Sequence, residues 1–194
     1  MEVTLIKEAG YDEALYGLSL SFKDREVGKD KWWTEARREK IGKVAGALAG
    51  KGNGHDKFLR QIVLWVDLEM ARYVWSEFDT YKVGVVASSE STMHTLHKRW
   101  ATSKDFEDST SARAIEEFIS CQHSLSGQGL TRAERTRRMK ACLPEGYLQR
   151  RLVTMNYASL QAIVSQRFTH KLPEWQTFIS QMLTEIEHPE LIRT

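Results

Sequence analysis

Between residues 83 and 96 the chain reads VGVVASSESTMHTL, and its second half gathers Ser88, Ser89, Ser91 and Thr92 around Glu90, with His94 close behind. Hydroxyls and the backbone N–H groups of such a bend donate hydrogen bonds, so the stretch carries the donors an anion needs. A carboxylate, Glu90, nevertheless sits in their midst. The alternative is plainer: short hydroxyl side chains also close a turn onto its own backbone. A second pair is Asn156 and Arg167, eleven residues apart on a helical pattern, with Leu160 and Ile163 between them. At 3.6 residues per turn they return to nearly one face, roughly 16 Å apart along the axis. An amide and a guanidinium so placed could grip the two ends of an elongated ligand, or simply lie at the surface.

Other chemistries are not spelled out. The run TRAERTRRMK sets Arg132, Arg135 and Arg138 on one helical stripe, but Glu134 interrupts it and few aromatics are interleaved for base stacking. A solvated helix face is therefore favoured over a nucleic-acid contact. None of the six histidines pairs with Cys or Asp at ligand spacing, so no metal site is expected. GKVAGALAGKGNGH is glycine-rich but lacks the Lys-Ser/Thr ending of a phosphate loop, and no Gly-x-Ser-x-Gly nucleophile motif occurs. No catalytic residue is assigned.

The elements that must position these groups follow from periodicity. VTLIK (3–7) predicts a short strand, and YDEALYGLSLSF (11–22) has Leu15, Leu18 and Phe22 at helical spacing. Residues 34–50 predict a helix opened by Thr34 as N-cap and closed by Gly50. In IVLWVDLEM (62–70), Ile62, Leu64, Val66, Leu68 and Met70 share one face at period two, as in a half-buried strand. Residues 71–84 look helical and lead into the hydroxyl bend. Beyond about residue 105 the pattern is helical, over 109–125, 130–144, 155–168 and 172–188, with Thr131 and Glu134 as a capping box and Pro144 as a stop. No glycine- or proline-rich linker and no repeat interrupts the chain. The expectation is one α+β domain over residues 1–194 with a small antiparallel sheet and a helical carboxy-terminal half.

Bulk properties agree with that picture. The chain has 194 residues, 41% hydrophobic and 28% charged, with a net charge of +2. This suits a globular protein with a full core and is too mild a charge to announce nucleic acid. Cys121 and Cys142 lack metal-like spacing and are expected as reduced core thiols. The amino terminus lacks the basic and apolar regions of a signal peptide, and no stretch approaches the roughly 20 apolar residues of a membrane span. A cytoplasmic protein is expected.

Taken together, several pieces resemble the flavin-dependent thymidylate synthases, the ThyX family. NGHDKFLRQIVLWVDLEM resembles its Gly-His segment and strand, LSLSFKD (18–24) its early Val-Ser-Phe segment, and HKLPEW (170–175) its His-Ala-Gln-Trp-Glu stretch. Asn156 stands twelve residues after Pro144 and Arg167 eleven after Asn156, matching both late spacings of the family. Its signature is eroded: with the signature Glu set on Glu90, Lys82, Val83 and Gly84 stand where the family has Arg-His-Arg, Ser89 replaces Asn, and His94 replaces Arg. The resemblance implies a dUMP-like nucleotide held by Asp79, Ser89, Glu90, Ser91, Thr92, His94, Lys140 and Arg167. It implies FAD contacts at Ser21, His55, Lys82 and Asn156, although losing Arg-His-Arg removes most of the cationic and planar groups that would steady a flavin. It further implies a homotetramer, and either methylation of dUMP with methylenetetrahydrofolate and reduced FAD, or an inactive nucleotide-binding or sequestering scaffold. Similar eroded patterns occur among phage-encoded proteins, which would place the chain in a host cytoplasm.

Overall fold

The computed structural model describes residues 1–193. In chain order the elements are β1 (Glu2–Ala9), α1 (Tyr11–Ser19), α2 (Lys29–Trp32), α3 (Glu35–Leu48), β2 (Val63–Ala71), α4 (Arg72–Phe78) and β3 (Val85–Ser89). Then follow α5 (Thr92–Thr95), α6 (Ala112–Ser126), α7 (Arg132–Cys142), β4 (Leu148–Asn156), α8 (Tyr157–Arg167) and α9 (Pro173–Glu185). The strands make one antiparallel sheet in the order β1-β2-β4-β3. This is the α+β class that the sequence predicts, and no described helix is long and apolar enough to cross a membrane.

Contacts divide the chain into two compact units. One comprises Met1–Glu2, Leu68–Thr80 and Ser88–Leu152; the other comprises Val3–Asp67, Tyr81–Ala87 and the chain from Val153 on. In the first, Phe106, Phe118, Leu125, Met139, Leu143 and Tyr147 form a buried cluster between α6 and α7, with Phe106 edge-on to both Phe118 and Tyr147. In the second, Leu160, Ile163 and Val164 of α8 and Trp175, Phe178 and Met182 of α9 are buried. Burying an aliphatic or aromatic side chain of this size stabilises by about 1.5–3 kcal/mol, which is what fixes the helices that carry the site.

Local rules account for most boundaries. Along β2 burial alternates, with Leu64, Val66, Leu68 and Met70 fully buried, as the period-two pattern requires. Thr34 caps α3 by accepting from Arg37 N, and Thr131 with Glu134 closes the capping box on α7.

Three expectations are corrected. The helix expected over 155–168 begins at Tyr157, because Asn156 is its N-cap and ends a strand, β4, that the sequence reading missed. Its charged start, Gln149-Arg150-Arg151, hid the alternation that only Val153 and Met155 show by burial. Nor do residues 71–84 run as one helix into the hydroxyl bend: α4 ends at Phe78 and β3 follows, with Val83 in the turn before it 90% and Val86 within it 70% exposed. The cysteines are not core thiols either, Cys121 being half-buried and Cys142 exposed.

Candidate functional site

Within the first unit, α4, β4, α5 and α7 surround a cavity of about 220 Å3. Arg72, Trp75, Ser76 and Asp79 reach it from α4 and its C-cap, at the i, i+3, i+4, i+7 spacing that makes one helical face. Gln149 and Arg151, two apart on β4, face the same way, as alternate strand residues must. Lys140 comes from the last turn of α7 and Thr92 from the start of α5.

Arg151 is locked. Its Nη1 donates to Asp79 Oδ1 at 2.8 Å, and its Nη2 and Nε lie 3.1 and 3.3 Å from Gln149 Oε1. Its guanidinium carbon lies 4.1 Å from the centroid of the Trp75 ring, and Trp75 Nε1 donates to Gln149 O at 2.8 Å. The guanidinium thus lies on an indole floor that is itself pinned to β4, and the Arg151 side chain is only 14% exposed. Arg72 Nη2 pairs with Glu145 at 3.1 Å. Lys140 has no ion-pair partner among the described residues, so its charge is the uncompensated one in the cavity. With Arg151 paired to Asp79 and Arg72 to Glu145, Lys140 is left as the cation that draws an anion into this cavity.

The expected nucleotide-site residues divide. Asp79, Thr92 and Lys140 share this cavity. Glu90 does not line it: its carbonyl accepts from Gln149 Nε2 at 2.9 Å, its N–H donates to Arg150 O at 2.8 Å, and it borders a small hollow with Arg99, Gln122 and Tyr147. Ser89 and His94 are exposed, and Ser91 caps α5 through its carbonyl, which accepts from His94 N at 2.9 Å and Thr95 N at 3.0 Å. Of the hydroxyl cluster, only Thr92 lines the cavity. In the second unit, Arg167 Nε donates to the Tyr81 hydroxyl at 2.9 Å and its guanidinium carbon lies 4.9 Å from the Trp175 ring centroid. The sequence reading missed Arg72, Trp75, Ser76, Gln149 and Arg151. A helical face ending in Asp79 and a Gln-x-Arg pair at strand period were the signals that could have found them.

The expected flavin residues all lie in the second unit, and they do not fit the cofactor. Asn156 Oδ1 accepts from Ser159 N at 2.9 Å and lies 3.0 Å from Ser159 Oγ, which is itself 2.8 Å from Val83 O. Gly84 has φ +71°, and a Cβ there would fall 2.5 Å from Asn156 Nδ2 and 2.7 Å from Ser159 Oγ. A side chain at this position, where the resemblance sets the last arginine of the triad, would have to displace the Asn156 amide and the Ser159 hydroxyl. Lys82, Ser21 and His55 are exposed. One exposed amine beside a bare glycine does not replace two guanidiniums and an imidazole.

Among the described residues one grouping of metal-ligand types does arise: Glu8, Glu187 and His188 bring ligand atoms within 4.8 Å of one another. Both Glu8 oxygens already accept, from the Tyr157 hydroxyl at 2.7 Å and from Glu187 N at 2.8 Å.

The architecture defined by this sheet and its helices is a known one, that of the ThyX enzymes. Two crystal structures of flavin-dependent thymidylate synthase ThyX from Helicobacter pylori, each with FAD and dUMP, are similar to the chain. The first matches with a TM-score of 0.74 at 16% identity, covering 100% of this chain and 98% of that one; the second does so with 0.73 at 17% over the same shares. No protein-family model and no curated protein sequence matches the chain. At such identity the likeness shows the fold alone.

Proposed function

We propose that the protein binds a pyrimidine nucleoside monophosphate such as dUMP in the cavity of the first unit, and does so without flavin turnover. The observation that carries this reading is the convergence of Lys140, Arg72 and Arg151 on one hollow whose lining includes a single carboxylate, Asp79. Phosphate oxygens take charge-assisted bonds from Lys140 and Arg72 and a neutral one from the Thr92 hydroxyl. Asp79 repels phosphate and accepts only, so it selects the donor end of the ligand, a ring N–H or a sugar hydroxyl. Arg151, flat on Trp75, offers its outer face to the base. The ThyX structures that share this fold hold dUMP, which supports a nucleotide as the ligand.

The catalytic alternative, dUMP methylation with methylenetetrahydrofolate and reduced FAD, needs a flavin cradle, and the residues around Gly84 and Asn156 do not supply one. A sequestering or regulatory role is the reading we favour, carried by a homotetramer if the ThyX resemblance extends to assembly. The test is a thermal-shift comparison of flavin-free protein with dUMP, deoxyuridine and FAD. A ligand present at about 100 times its dissociation constant adds roughly 2.7 kcal/mol of stability. Stabilisation by dUMP alone supports the reading. Stabilisation by FAD, with a yellow complex, would overturn its flavin-free part.

A further inference from the structure

A second cavity of the first unit, about 180 Å3, is lined by His97, Lys98 and Trp100 from the segment after α5 and by Arg135 and Met139 from α7. Two polar atoms of these residues, His97 Nδ1 and Arg135 Nε, are buried and have no hydrogen-bond partner among the described residues. Buried donors without partners are rare in native proteins, because the group loses its water and gains nothing. Arg135 Nε is always a donor and His97 Nδ1 is one in the tautomer that places the proton there, so one acceptor would satisfy both.

The charge around them points the same way. Lys98, Arg132 and Arg135 pair with no described carboxylate, whereas the neighbouring Arg99 is tied to Asp105, with Nη1 to Oδ2 at 2.8 Å. Burial first, then the charges of Arg132, Lys98, His94 and Arg135, hold the His97 imidazole below its usual range, so cations surround it with no anion to offset them.

We propose that this cavity is a second oxyanion site, shaped for the phosphate group of a small phosphorylated molecule and separate from the cavity around Lys140. Arg135 Nε, Lys98 Nζ and the N–H of His97 together match the several acceptor lone pairs of one phosphate. Leu96, Met139 and the half-exposed Trp100 form an apolar wall for the carbon skeleton attached to it. A carboxylate balances only one of the two unpaired lining cations, Lys98 and Arg135, whereas a phosphate monoester, close to dianionic at neutral pH, balances both. A nucleic-acid backbone is a poorer match, because Arg135 Nε is buried inside the hollow and not displayed along a surface stripe.

The site is tested by following the His97 side chain by NMR in protein labelled with nitrogen-15 histidine, during titration with inorganic phosphate, glycerol 3-phosphate and a short single-stranded oligonucleotide. An anion beside the ring favours its protonated form, so phosphate and glycerol 3-phosphate should raise the His97 titration midpoint. Lys98→Ala, an exposed substitution, should weaken phosphate roughly tenfold or more, and Arg135→Gln should do the same. Lys140→Ala should leave the His97 response intact while weakening dUMP at the other cavity, so failure at one site is distinguishable from failure at the other. No movement of His97 with either small phosphate overturns the proposal. A response to the oligonucleotide alone overturns its small-molecule ligand.

Discussion

At the residue scale, Lys82-Val83-Gly84, set by the resemblance where ThyX has Arg-His-Arg, forms a tight turn. Gly84 adopts a left-handed φ of +71° and packs against the Asn156 amide and the Ser159 hydroxyl, so an L side chain is both strained and crowded there. Gly84→Ala should destabilise the protein by about 1–3 kcal/mol, read as a lower urea midpoint at unchanged slope. A neutral effect would mean that the Val83–Gly84 turn is not fixed by Asn156. Cys121 and Cys142 differ in a measurable way. Their sulfurs are 2.9 Å apart, but burial and the neighbouring Cys142 push the Cys121 thiol up to about 11. The thiolate is the reactive form, so limiting iodoacetamide at mildly alkaline pH should label exposed Cys142 well before Cys121, as read by peptide mass analysis. The resemblance set Asp79, Thr92 and Lys140 on one ligand, and the three line one cavity. Arg72 and Arg151 were not legible in the sequence, because each looks like an ordinary charged residue until Trp75 and Gln149 are seen to hold the second of them in place.

At the element scale, helices were legible where capping chemistry is local. Thr34 and the Thr131–Glu134 box mark true starts. Strand β2 was legible through the alternation of its buried face, whereas β3, with no buried residue, offers no such pattern. Nothing in residues 85–89 alone reveals that β3 sits at the end of the order β1-β2-β4-β3. The start of α8 carries a pH dependence. Tyr157 is buried and donates to Glu8 at 2.7 Å, and burial, then this hydrogen bond, drives its pKa well above the ordinary tyrosine value. In the unfolded chain tyrosine ionises near about pH 10. Above that pH the unfolded state sheds a proton that the folded state keeps, so stability is full below about pH 10 and falls as pH rises further. Burial raises Tyr147 and Tyr11 in the same direction. Denaturant midpoints measured across the alkaline range should therefore fall, and Tyr157→Phe should flatten part of that decline. An unchanged decline in the variant would assign it to the other two tyrosines.

At the scale of the whole molecule, the fold was legible as a colinear set of weak motifs, and the likeness to ThyX structures over the full chain at 16% identity agrees with it. What spacing could not convey was which nominal site residues share a hollow. Thr92, Asp79 and Lys140 meet in the first unit, Glu90 turns to another hollow, and Arg167 is engaged by Tyr81 and Trp175 in the second unit. The chain has a cationic cavity in the first unit and a tight glycine turn at Gly84 in the second. The central claim is therefore phosphate-dependent nucleotide binding at Lys140. Isothermal titration of flavin-free protein with dUMP and with deoxyuridine, repeated on Lys140→Ala, tests it most directly. The account predicts saturable dUMP binding, little or none for deoxyuridine, and a loss of roughly tenfold or more in the variant. Equal affinity for the two ligands, or dUMP binding untouched by Lys140→Ala, would contradict it.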